Sequence, residues 1–213
     1  MKITSKTGEE LNFLETGVDG VYVLDRVAFR DRFDKDGNSD WEKSTGRKRL
    51  REWAESNLPK EILDRFDVDI PAVEEVFSQK MLNIFKSGKG LKSRQLPIFR
   101  DSDNRMMEFD DSNLNGKLMW WWTSSAYGGD DDARHVWSVY TDSSLYYDDA
   151  YNTNGFVPVL RKREGEAECW ARLKEAAEEY AQKHMHPHKT IIITQQGIEL
   201  LEGEKASPLE TLD

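Results

Sequence analysis

The chain contains one cysteine, Cys169, so no intramolecular disulfide can form and no cysteine-rich metal finger can be assembled. Packing alone has to hold the fold. Nowhere do about 18 apolar residues run together, which leaves no candidate for a membrane-spanning helix. The first ten residues, MKITSKTGEE, hold no apolar stretch of the kind a secretion signal requires. A soluble protein made in the cytoplasm is the expectation, with export inside a larger particle such as a virion left open. Basic charge is also short. Thirty Lys and Arg against forty Asp and Glu give a net charge of −10, which repels phosphate backbones and anionic membrane surfaces at long range. Neither nucleic acid nor membrane is an expected partner. A Gly-rich phosphate loop, a G-x-S-x-G elbow and a paired acid/base motif are all missing.

What is present suffices for one main core with an appendage in 213 residues. Only 38% of the residues are hydrophobic, yet seven Trp, seven Tyr and nine Phe supply enough bulk to fill an interior, which excludes global disorder. Gly20 to Arg26 reads as a first buried strand. Ser44 or Thr45 can cap a helix that places Leu50, Trp53, Ala54 and Leu58 on one face before Pro59 stops it. Pro71 opens a second expected helix, carrying Val73, Val76, Phe77, Met81, Ile84 and Phe85 as far as Ser87-Gly88-Lys89-Gly90. Beyond Gly90 the apolar runs at 96–99, 106–109 and 118–122 are short and divided by Asp, Asn and Gly, which disfavours helix. His135 to Thr141, Leu145 to Tyr151 and Phe156 to Leu160 predict an antiparallel meander, with Pro158 marking an edge or a bulge.

The expected class is therefore α+β: a domain over 1–163 and a helix plus β-hairpin tail over 164–213. In the tail, Trp170, Leu173, Ala177, Tyr180 and Ala181 repeat at helical spacing. Thr190 to Thr194 and Ile198 to Leu201 then flank a turn at Gln195-Gln196-Gly197. Ile191 to Ile193 puts apolar side chains on both faces and needs cover, which suits an oligomerisation or docking element.

Few groups carry recognisable chemistry. Asp34, Asp36, Asn38 and Asp40 occupy positions 1, 3, 5 and 7 of half a calcium loop. Ser39 stands where the turn needs Gly, and Thr45 where a bidentate Glu should close the sphere. A polar turn is the favoured reading, with calcium as a weak candidate and no other cofactor expected. The Asp130-Asp131-Asp132 cluster reads as a solvated loop, and His184, His186 and His188 as a helix terminus rather than a metal site. Cys169 beside Trp170 reads as a packed residue.

The most informative stretch runs from Thr123 to Gly155. Five of the seven tyrosines lie there with Trp137, six Asp, two Asn and five Ser. Tyr and Trp offer large contact area with few rotatable bonds, and Ser, Asn and Asp add adaptable hydrogen bonds, which is the composition of a recognition surface. Core packing accounts for about half of the rings, because neighbours on a strand face opposite ways.

Four segments in order carry a resemblance. Trp41-x-x-Ser44, Leu50-Arg51-x-Trp53, Trp121-Trp122-Thr123-Ser124-Ser125 and Gly155-Phe156-Val157-Pro158-Val159-Leu160 resemble the signposts of a C-type-lectin-like domain. The version is the disulfide-free one of uncharacterised gut-bacterial and phage proteins, related to the formylglycine-generating (sulfatase-modifying) enzyme fold. It spans roughly residues 18–163. The resemblance implies that strands near 21–26 and 156–162 pair, that two helices flank them, and that the Trp121 to Ser125 segment forms a central strand. It also implies a ligand surface between that strand and the closing one. Some relatives, the variable proteins of diversity-generating retroelements, diversify that surface with Tyr, Asn, Asp and Ser. The enzymatic branch uses two active-site cysteines, which Cys169 alone cannot supply. The Glu-Pro-Asn and Gln-Pro-Asp motifs of calcium-dependent sugar binding are absent.

The leading expectation is a non-catalytic, phage- or mobile-element-encoded recognition module. It would bind a protein or glycan through Tyr127, Trp137, Tyr140, Tyr146, Tyr147, Tyr151 and Asn152. The alternatives are a structural particle subunit and a formylglycine-generating-like enzyme working through His135, Asp130 and Asp132.

Overall fold

A computed structural model describes residues 1–109, 117–128, 134–163 and 165, together with the backbone of strands at 189–194 and 197–202. The chain divides into two compact units, 1–163 and 164–213. Cys169, the expected tail helix with Trp170, the His184, His186 and His188 set, and the aspartates at 130–132 lie outside the described residues. Among the described residues no helix is long and apolar enough to cross a membrane.

The 1–163 unit is mixed α+β with mostly antiparallel strands. In chain order it contains β1 (Lys2–Thr4), β2 (Glu10–Glu15), β3 (Val21–Leu24), β4 (Phe29–Arg32), α1 (Thr45–Asn57), α2 (Lys60–Leu63), β5 (Phe66–Asp69), α3 (Val73–Val76) and α4 (Gln79–Leu82). There follow β6 (Met107–Phe109), β7 (Lys117–Met119), β8 (Trp121–Ala126), β9 (His135–Val139), β10 (Leu145–Asp149), β11 (Thr153–Phe156) and β12 (Val159–Lys162). One sheet has the order β1-β2-β3-β12-β5, a second β10-β9-β8-β11-β4, and β6 with β7 forms a separate pair. In the second unit, β13 (Lys189–Thr194) and β14 (Gly197–Glu202) form an antiparallel hairpin, Lys189 opposite Glu202 and Thr194 opposite Gly197.

Helix α1 forms where its cap and apolar face specify it. The Ser44 hydroxyl accepts from Arg47 N–H at 3.1 Å, and Leu50, Ala54 and Leu58 are buried. The helix joins two cores, since Leu50 packs with Phe33, Trp41, Trp122 and Phe156, whereas Ala54 and Leu58 pack with Phe13, Leu24, Phe66 and Leu160. The second expected helix is broken into the single turns α3 and α4. Phe77 between them is extended, with φ −117° and ψ 145°. Side chains from a later loop take carbonyls that a continuous helix would have used: Gln95 Nε2 donates to Val76 O at 2.9 Å and Ser93 Oγ to Phe77 O at 2.7 Å. Ile84, expected on the apolar face, is 65% exposed.

The meander extends only over β9 and β10. Strand β11 instead returns to lie between β8 and β4, parallel to β8 and antiparallel to β4. Its Asn154, Gly155 and Phe156 are all buried, which suits an interior slot and not a position beyond the edge strand β10. Gly155 is needed there. Its N–H donates to Trp120 O at 2.7 Å, and a Cβ at this position would stand 2.7 Å from both Val27 methyls. Val157 and Pro158 carry the chain from the second sheet to the first, where β12 runs antiparallel between β3 and β5, Leu160 opposite both Tyr22 and Val68. Pro158 therefore sits in a crossover, and its carbonyl accepts from Leu24 N–H at 2.9 Å.

Candidate recognition surface

Strand β10 is outermost in its sheet, and its register with β9 sets Tyr147 opposite Trp137 and Tyr146 opposite Ser138. The turn joining them is closed by Ser143 N–H to Tyr140 O and Tyr140 N–H to Ser144 O, both 3.0 Å, with Ser143 at φ 66°. Asp142 Oδ1 accepts from Ser144 N–H at 3.0 Å and stiffens the turn further.

A continuous row of rings lies across this hairpin. Tyr127 stacks on Tyr147 at 4.0 Å between centroids, Tyr147 on Tyr146 at 5.2 Å, Tyr146 meets Tyr140 edge-on at 4.8 Å, and Tyr140 lies 3.7 Å from Trp120. Adjacent residues of an interior strand would point apart. Tyr146 and Tyr147 lie with planes 5° apart, because an edge strand leaves both side chains room to lean over its open side. Tyr146 is 43% exposed; Tyr127, Tyr140 and Tyr147 are half-buried. Burial raises the Tyr140 phenol above its ordinary range, and Tyr146, Asp148 and Asp142 add to the rise. It stays a neutral hydroxyl at physiological pH.

The sequence placed seven residues on one surface, and the structure brings four of them together. Trp137 is a correction. It is fully buried, edge-on to Tyr127 at 4.7 Å and Phe85 at 5.2 Å, so it supports the row from beneath. The reason is strand position: β9 is interior, and Val136 to Val139 are buried on both faces. Tyr151 and Asn152 are exposed but make no ring contact with the row. The Tyr151 hydroxyl donates to Asp36 O at 3.1 Å and its ring covers Gly37, which takes φ 77°. Asn152 Nδ2 donates to Asp148 Oδ1 at 2.6 Å. Trp120, Phe85 and His135, which edges onto Tyr147 at 5.2 Å, belong to the cluster without having been named for it. Trp120 could have been found from its place one residue before the buried Trp121-Trp122 pair.

The weak calcium candidates serve the backbone. Asp34 is buried; its Oδ1 accepts from Asp36 N–H at 2.8 Å and Asn38 N–H at 3.1 Å, its Oδ2 from Thr45 N–H at 2.8 Å. Burial alone would raise this carboxyl, but the amides of Thr45, Asn38 and Asp36 outweigh it and hold the pKa below the ordinary value. Asn38 Oδ1 accepts from Asp40 N–H at 2.9 Å and Asp40 Oδ1 from Glu42 N–H at 3.1 Å. Asp36 is exposed and 3.8 Å from Lys35. Among the described residues no three His, Cys, Asp or Glu side chains are grouped as metal ligands would be.

Beside β8, Ser125 Oγ accepts from Val73 N–H and donates to Glu74 Oε2, both at 3.0 Å, which fixes α3 against the strand. Arg105 reaches across the core. Its guanidinium donates to Phe99 O at 2.5 Å and Ser143 O at 3.2 Å and lies 5.4 Å from the Phe77 ring centre, and burial lowers its pKa. The hairpin turn is thereby held from the inside. No protein-family model, curated protein or solved structure matches the chain.

Proposed function

We propose that the 1–163 unit is a non-catalytic recognition module of C-type-lectin-like kind that binds a protein or glycan through the row Tyr127, Tyr147, Tyr146 and Tyr140, extended by Trp120. The observation that carries the reading is this uninterrupted row of ring contacts centred on an exposed edge strand, braced from below by Trp137 and Phe85. Stacked tyrosines held in place lose little conformational freedom on binding and offer both ring faces and hydroxyls to a partner. Asp142 and Asp148 flank the row; Asp142 accepts from Ser144 N–H, and Asp148 from Asp149 N–H, Asn152 and Asn154. Support for the lectin-like reading comes from β8, which holds the Trp121 to Ser125 segment in mid-sheet, and from the pairing of β3 with β12.

The test is a glycan and surface-protein array probed with the full chain and with Tyr146→Ala and Tyr147→Ala. A ligand of the wild type should bind each variant at least tenfold more weakly, since a central interface tyrosine carries about 2 kcal/mol or more. Hits that both variants retain unchanged would remove the row as the site. Size-exclusion mass on the same samples separates recognition from assembly, because a large closed oligomer dissociated by either substitution would make the row a subunit contact instead.

A further inference from the structure

Strand β5 is also outermost, in the sheet that does not carry the aromatic row. Among the described residues it pairs only with β12. Arg163 N–H donates to Arg65 O at 2.9 Å, and the register continues through Asp67 opposite Arg161 and Asp69 opposite Val159. Those residues turn their peptide groups toward β12. By antiparallel alternation, the N–H and C=O of Phe66 and Val68 face the open side.

That side is not solvent over a flat sheet. A cavity of about 500 Å³ lies there, lined by Arg47, Arg51 and Ala54 of α1, by Leu63, by β5 itself, and by Arg161 and Arg163 of β12. Arg47, Arg51 and Ala54 recur at the spacing of one helix face, so the groove runs between α1 and the strand edge. Its charge is unusual for a chain with a net −10. Four arginines meet three carboxylates, Glu55, Asp67 and Asp69. Two of the three are engaged already: Asp67 accepts from Arg163 Nε at 2.8 Å, and Asp69 from Trp41 Nε1 at 2.6 Å and from Ile70 N–H at 2.9 Å. Arg47 and Arg161 reach out of the groove to Glu42 and Glu75. Arg51 is exposed and makes no ion pair among the described residues.

We propose that this groove takes an extended acidic segment of a partner protein, which adds as a strand to the open edge of β5 and places its carboxylates against Arg51 and Arg163. Main-chain bonds to Phe66 and Val68 supply affinity without sequence preference. The apolar floor at Ala54, Leu63 and Val68 takes every second side chain, and the arginines select for acid on the others. A free anion would use the guanidinium groups but not the strand edge, so the two kinds of ligand are separable.

The experiment titrates the full chain with a fluorescent hexapeptide of alternating Glu and Val. Its controls are the Lys and Val counterpart, the acidic peptide N-methylated at alternate amides, and citrate. The acidic peptide is expected to bind. N-methylation and the substitution Arg51→Glu should each weaken it about tenfold or more, and the Val68 amide should exchange more slowly with peptide bound. Arg51 holds no other group in place, so an unchanged melting temperature will show that the variant folds. No binding at millimolar peptide, equal binding of the Lys and acidic peptides, an N-methylated peptide as tight as its parent, or citrate competition with Val68 exchange unaffected by peptide would each overturn the proposal.

Discussion

Strands β8 and β10 each carry two adjacent aromatic residues, and the fold uses the pairs in opposite ways. In β8, Trp121 and Trp122 point to opposite faces and are fully buried, Trp121 with Phe99 and Trp137, Trp122 with Phe33 and Phe156. In β10, Tyr146 and Tyr147 stack on each other at the open side, and the first of them is 43% exposed. The chemistry of the side chains differs by a hydroxyl and an indole; the larger difference is how many strands stand alongside. An interior strand has two neighbours and two covered faces, so pleating alone decides where its rings go. An edge strand has a third direction available, and rings can collect there in a row.

The sharpest way to test this contrast is to delete one ring from each pair. Trp122→Ala should cost about 3–5 kcal/mol by urea denaturation, since it empties a closed site between Phe33, Val136 and Phe156. A cost below 1 kcal/mol would mean that the second core is loosely packed. The next largest effect concerns what makes β8 interior. Gly155→Ala drives a methyl into Val27 and should cost about 1–3 kcal/mol through overpacking, read as a lower denaturation midpoint. A neutral result would show that β11 and β8 can part without loss.

Asp34 holds the loop that receives β10 at its far end, through Ala150 O and the cover that Tyr151 gives Gly37. Asp34→Ala should cost about 1–2 kcal/mol at neutral pH, because it uncaps Thr45, Asn38 and Asp36 amides at once. The same carboxyl sets a pH dependence. Its folded pKa is depressed, so its contribution is complete above the unfolded value near 4 and disappears as pH falls through the folded value. Stability measured from pH 6 down to 3 should fall less in the variant than in the wild type. Equal slopes would show that the amide bonds do not set the titration. The smallest expected effect on stability is that of Tyr146→Ala, within about 0.5–1 kcal/mol, for a half-exposed ring on an edge. A loss as large as that of Trp122→Ala would place Tyr146 in the core and end the contrast.

The pattern made some of this legible and hid the rest for identifiable reasons. Helix α1 was readable because Ser44, Leu50, Ala54 and Leu58 carry cap and face together, and Pro59 ends them. The strand at 21–24 and the hairpin of β9 and β10 were readable because Val, Tyr and Trp cluster between Gly, Asp and Ser. Strands β4 and β5 were missed. Phe66-Asp67-Val68-Asp69 does alternate, but four residues of alternation look like loop until a neighbour pairs with them, and Phe29-Arg30-Asp31-Arg32, with three charges in a row, shows no alternation in sequence at all. The false second helix shows the converse error. Val73, Val76 and Phe77 have helical spacing, yet Gln95 and Ser93, far along the chain, take the carbonyls that would continue it.

The same limit explains the site. Composition pointed to the hairpin that carries the ring row, because Tyr, Asp and Ser accumulate around its turn. It could not separate Trp137 from Tyr147, since which of two facing strands is interior depends on β8 and β11. Nor could it see that Tyr151 turns toward Gly37, a partner more than a hundred positions away.

The place of β12 has a consequence for how the molecule comes into being. The last strand of the first unit is not added at a margin; it is inserted between β3 and β5, both made much earlier. During synthesis the first sheet is expected to stay split until residue 162 has emerged, because Phe13, Leu24 and Phe66 share a core with Leu160. Folding of this unit is therefore expected to be late and all at once, set by long-range closure and not by growth from the N-terminus. A ribosome-bound chain halted before Val159 should remain open to proteolysis, whereas one released past Lys162 should become resistant in a single step.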